Sequence, residues 1–130
     1  MDNNVEKEVS ETIGRFADAV RNQDLQALSS MIADEEKVVF YGSQSGDKEV
    51  GHDDILASFK EQFADTEAMD SEILSSVVSV SGDMAWGAYD LRYTEKGGGK
   101  AGTFDTRWTC VLRHFPDGWK LVHMHHSIGR

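Results

Sequence analysis

The stretch FDTRWTCVLRHFPDGWKLVHMHHS, residues 104–127, constrains the fold more than any other part of the chain. Two runs rich in aromatic and β-branched residues flank Pro116, Asp117 and Gly118. Proline presets φ and removes a donor, and glycine tolerates positive φ, so the pattern predicts a β-hairpin. Strand alternation then sorts its side chains onto two faces. A four-residue loop with His114 opposite Trp119 and a two-residue Asp-Gly loop with Pro116 opposite Trp119 give the same sorting. One face carries Asp105, Arg107, Thr109, Val111 and Arg113 with Lys120, Val122, Met124, His126 and Ile128. The other carries Phe104, Trp108, Cys110, Leu112 and His114 with Trp119, Leu121, His123, His125 and Ser127. A loop of odd length, or a bulge, would mix the two sets.

The rest of the chain reads as helices followed by strands. Val5, Val9, Ile13, Phe16 and Val20 recur at three- and four-residue steps and predict an amphipathic helix over residues 5–20. Asp24 is a good N-cap for a short second helix carrying Leu25, Leu28, Met31 and Ile32. Residues 38–41 read as a strand and the polar stretch 42–48 as a loop or flap. His52, Asp53 and Asp54 read as the capping start of a third helix with Ile55, Leu56, Phe59 and Phe63 inward. Residues 72–80 and 84–94 read as strands about a tight turn, with Met84, Trp86, Ala88, Asp90 and Arg92 on one side of the second. Residues 95–102, with three consecutive glycines, read as a flexible hairpin tip, because a phosphate-binding loop needs a strand-to-helix context. Helices first and then an antiparallel meander predict an α+β fold.

With 130 residues and 39% hydrophobic content, one domain spanning 1–130 is expected. The net charge of −10 argues against a nucleic-acid partner and against anionic membranes. A single cysteine, Cys110, excludes an intrachain disulfide. Residues 1–10 show no targeting pattern and no apolar run approaches about 18 residues, so a cytoplasmic protein without a membrane partner is expected.

FADAVRNQDLQALSSM, SGDMAWGAYDLRYT and TRWTCVLRHFPDGWKLVHMHHS, in this order, resemble the nuclear transport factor 2-like superfamily, in particular its SnoaL-like and ketosteroid isomerase-like branches. They also resemble the association domain of calcium/calmodulin-dependent kinase. The resemblance implies N-terminal helices packed in the concave face of a strongly curved antiparallel sheet, a cystatin-like cone with an internal pocket. It also implies homodimers through the outer sheet face, and functions ranging from isomerase, dehydratase or cyclase to binding or association module. By similarity to the kinase association domain, Arg92 and Arg107 fall where arginines bind small carboxylates, and His126 stands where a third arginine is found.

Together these readings define the candidate residues. Arg92, Arg107, Trp86, Tyr41, Thr109 and Met124 are expected to line a pocket for a small carboxylate or ketone. The bland alternative is that the arginines pair internally with Asp90 and Asp105. If a reaction occurs, His126 is the expected acid or base and Asp90 the second group. Trp108, Leu112, Trp119 and Leu121 form an apolar patch expected at a homodimer interface; the rival is that this face lies under the helices. Cys110, His123 and His125 share one predicted face but lack a fourth ligand, so no metal and no cofactor is expected.

Overall fold

The computed structural model describes residues 2–43, 46–66, 68–97 and 100–128. The elements run α1 (Asp2–Arg21), α2 (Leu25–Met31), β1 (Val39–Tyr41), β2 (Lys48–Val50), α3 (His52–Ala64), β3 (Ala68–Ser81), β4 (Met84–Gly97), β5 (Lys100–Phe115) and β6 (Gly118–Ile128). The strands form one curved, unclosed sheet in the order β2-β1-β6-β5-β4-β3. Every pairing is antiparallel except that of β1 with β6, which is parallel.

The helices form where periodicity predicts them. Val9, Ile13 and Phe16 of α1 are buried against the sheet. The Asp24 carboxylate accepts from the Ala27 N–H at 3.1 Å and caps α2. Ile32 ends that helix and bridges to Leu121, where the Ala33 N–H donates to the Leu121 carbonyl at 2.9 Å. Phe16, Phe40 and Phe59 meet edge to face, with centroids 6.1 to 6.4 Å apart, and knit α1, β1 and α3 into one core. A fully buried side chain of this size contributes about 1.5–3 kcal/mol.

Strand reaches into two segments read as loops. Lys48–Val50, at the end of the predicted flap, pairs with β1; residues 44 and 45 of that flap lie outside the described residues. β4 continues to Gly97 and β5 begins at Lys100, so the predicted tip is strand on both sides, and residues 98 and 99 lie outside the described residues. Continued pairing satisfies backbone groups that a loop would leave to water.

At the end of the hairpin His114 opposes Trp119, the first of the two registers left open by the sequence, and Phe115 opposes Gly118. Further on, Leu112 opposes Leu121 but Val111 opposes His123, leaving Val122 as an extra residue on β6. This β-bulge reverses the alternation of β6. Met124 and His126 consequently share the concave, helix-covered face with Leu112, Cys110 and Trp108, whereas His123 and His125 turn outward.

Candidate functional site

On the concave face Tyr89, Trp108 and His126 oppose one another across β4, β5 and β6. Their rings stack. The Tyr89 and Trp108 centroids are 6.0 Å apart with planes 8° from parallel, and those of Trp108 and His126 are 4.2 Å apart at 17°. The indole is held in place because its Nε1–H donates to Thr106 Oγ1 at 2.8 Å, and that hydroxyl donates to the Leu91 carbonyl at 2.8 Å. Burial pushes the His126 imidazole below its ordinary pKa, the charge of Asp47 partly opposes this, and His125 adds to it. The neutral ring, able to accept or donate a proton, is therefore the resting form near pH 7. Burial, helped by Cys110, also holds the Tyr89 phenol well above its ordinary value.

The other expected pocket residues lie elsewhere. Arg92, Arg107, Asp90, Trp86, Thr109 and Tyr41 stand on the outer face of the sheet, and Met124 is in the core. The niche of Arg92, Arg107 and His126 is thus not formed, because the sheet separates the arginines from the imidazole. Asp90 is likewise on the opposite face from His126 and cannot act beside it. Arg92 is paired with Asp105 at 2.9 Å, the internal pairing that was the bland alternative. The hydrogen bond from Arg92 holds the Asp105 carboxyl below its usual range. Asp90 opposes Arg107 and accepts from Ser75 Oγ at 2.9 Å. Tyr41 lies between two outer-face imidazoles, its ring centroid 6.2 Å from His123 and 5.6 Å from His125.

The expected interface residues also change place. Leu112, Leu121 and Trp119 are core, exposed by 0%, 1% and 9%, and Trp108 is partly buried in the same cluster. The face bearing them is the one the helices cover, so the rival reading of that face is the one observed. Cys110 lies on the concave side and His123 and His125 on the outer side, so these three cannot share an ion. No cluster of three metal-ligating side chains exists among the described residues.

His52 has a role its sequence position did not reveal. Gly51, with φ of +94°, is the N-cap of α3 and makes no side-chain cap bond. The His52 ring instead reaches α2: Nε2 lies 2.9 Å from the Ser29 carbonyl oxygen and Nδ1 3.0 Å from Asp53 Oδ1. Beside it runs a groove of about 400 Å³ lined by acidic residues, among them Asp34, Glu36 and Asp54. The order Gly-His-Asp-Asp was the available signal: a glycine able to cap leaves the next side chain free to tie α3 to its neighbour.

Helices covering one face of a curved, unclosed six-stranded sheet define an α+β domain of the cystatin-like class. The sequence model of the SnoaL-like domain matches residues 9–130, and the chain belongs to that family, within the nuclear transport factor 2-like superfamily. Solved structures agree. A Streptomyces avermitilis protein of the NTF2-like family, described as a candidate dehydratase, superposes with a TM-score of 0.91 at 25% identity, over 100% of this chain and 99% of its own. A ketosteroid isomerase-like protein from Erwinia carotovora atroseptica gives 0.80 at 19% identity, over 96% of each chain. An NTF2-like protein with a cystatin-like fold from Novosphingobium aromaticivorans gives 0.74 at 20%, over 94% of this chain and 80% of its own. No curated protein matches the sequence. No helix among the described residues is long and apolar enough to cross a membrane.

Proposed function

We propose that the chain binds a small uncharged ketone or enol on the concave side of the sheet and that His126 exchanges protons with it. The observation that carries this reading is the half-buried imidazole, kept neutral by burial and stacked on Trp108. Its row neighbours are aromatic, and the arginines that would favour a carboxylate lie on the far face. A neutral imidazole can take a proton from the carbon beside a carbonyl and return it to another atom of the same ligand, the step shared by isomerisation and dehydration chemistry. The test is a panel of cyclic ketones and small carboxylates, read by the His126 ring signals in NMR and by solvent-deuterium incorporation into the ketone. Ketones should move the His126 signals, and His126→Gln should slow exchange by about 10²-fold or more at unchanged thermal stability. Response to carboxylates alone, or to no ligand, would reject the reading.

A second reading, association of two copies, is favoured by the composition of the outer face. Two adjoining cross-strand rows, Val77, Ala88, Thr109, His125, Tyr41 and Ser79, Trp86, Val111, His123, Val39, form a largely apolar centre. Val77, Trp86 and Tyr41 are exposed by 62%, 49% and 39%. Asp90, Arg107 and the Arg92–Asp105 pair border this centre on one side, and Arg113 and Lys120 on the other. An apolar centre with a charged rim is the anatomy of a protein interface. The face of the four long strands β3 to β6, about ten residues deep, spans roughly 600 Å² before the short β1 adds to it, approaching the ~800 Å² each partner gives a stable complex. Sedimentation should show a dimer at micromolar concentration and a folded monomer for Trp86→Glu. A monomeric wild type would remove this reading.

A further inference from the structure

Each of the two rows at the centre of the outer face passes through a histidine, His125 in one and His123 in the other. Both rings flank Tyr41, and neither hydrogen-bonds to a carboxylate among the described residues. We propose that association through this face is proton-linked: two copies hold together while His123 and His125 are neutral and separate as these imidazoles take up protons. The proposal rests on the second reading above.

The charged and titratable groups around the pair come from every strand beside it. β1 supplies Tyr41, and β2 supplies Lys48, whose Nζ sits 5.7 Å from the Tyr41 ring centre. β5 supplies Arg107 and Arg113, and β6 supplies Lys120. The carboxylates nearby are Asp90 on β4 and Asp47 just before β2. Arg113 is paired with Glu35 and Lys120 with Asp117, so those two are neutralised where they stand. Asp90 accepts from Ser75 and opposes Arg107.

A neutral imidazole is amphipathic and enters an apolar interface at little cost. An imidazolium enclosed there without an acceptor costs several kcal/mol. In a two-fold complex the face meets its own copy, so each association encloses four such rings rather than two. In the free chain the His125 ring is exposed and the His123 ring half-buried, so neither is enclosed as it would be between two copies.

The experiment is sedimentation equilibrium of the wild type and of the His123→Gln/His125→Gln double variant at about pH 8 and about pH 5.5, with circular dichroism confirming the fold in each case. The wild type is expected to dimerise at the higher pH and to lose about tenfold or more in affinity at the lower, while the double variant holds a constant affinity. A wild type that is monomeric at the higher pH overturns the interface itself. A wild-type dimer of equal affinity at both values overturns the linkage and leaves the interface standing. Acid dissociation that persists in the double variant overturns the assignment to these two histidines.

Discussion

Ile13 Cδ1 occupies the space that a β-carbon on Gly87 would need, only 2.6 Å from its ideal position. The buried stripe of α1 therefore touches β4 at a residue whose lack of a side chain allows it. Gly87→Ala should destabilise the fold by about 1–3 kcal/mol through overpacking. Ile13→Val should cost about 1 kcal/mol alone, but combined with Gly87→Ala it should recover part of the loss, giving a coupling of opposite sign to the single effects. Urea unfolding of the four proteins measures this.

Cys110 sits beside the same contact, with Sγ 3.4 Å from that ideal β-carbon. Burial pushes its thiol up to about 12, against a small opposing effect of the Gly87 backbone. Thiolate is the reactive form, so alkylation at pH 8 should be negligible in the native protein and stoichiometric after unfolding. Mass spectrometry of iodoacetamide-treated samples checks it.

His52 should make stability depend on pH. Burial pulls its pKa down, but the Asp53 hydrogen bond, the Ser29 carbonyl and the charges of Asp34 and Asp53 outweigh that and leave it raised. A folded-state value above the unfolded one stabilises fully below the ordinary histidine value and is lost as pH rises through the raised one. His52→Gln should therefore cost about 1 kcal/mol on the acidic side and much less on the alkaline side. Thermal unfolding across the range shows whether the wild-type and variant curves converge as pH rises.

The bulge at Val122 admits a direct test. Deleting that residue would restore unbroken alternation with Met124 and His126 still on the concave side, because Leu121 and His123 would then follow one another in the register they already hold against Leu112 and Val111. The deletion should therefore cost no more than about 1–2 kcal/mol, and Val122→Gly, which keeps the count, about 1 kcal/mol. Both variants should keep the near-ultraviolet circular dichroism of the wild type, and a deletion variant that loses it would show that the faces do not follow from this register.

Much of the fold is legible in the sequence because its signals are local. The spacing of Val9, Ile13 and Phe16, the Asp24 cap and the Pro116–Asp117 turn each act within a few residues. The site was less legible because one extra residue decides it. Nothing around Val122 differs in kind from an unbroken strand, yet the bulge there brings His126 and Met124 together with Trp108 and Cys110. The apolar character of Trp108, Leu112, Trp119 and Leu121 was readable, but core and interface draw on the same residue types. Only the placement of α1 and its neighbours tells them apart. Lys48–Val50 escaped notice because a three-residue edge strand is too short to show alternation.

The parallel pairing of β1 with β6 joins residues 39–41 to residues 123–125. During synthesis, the early strand must wait for more than half of the chain to emerge before its partner exists. Until then Phe40 has neither Met124 beside it nor a finished sheet behind it. The nascent helices α1 and α3 are expected to hold their aromatic residues only loosely, and the ribosome-bound intermediate to be a client for chaperones that recognise exposed phenylalanine. Native structure then arrives late and all at once, with the last strand.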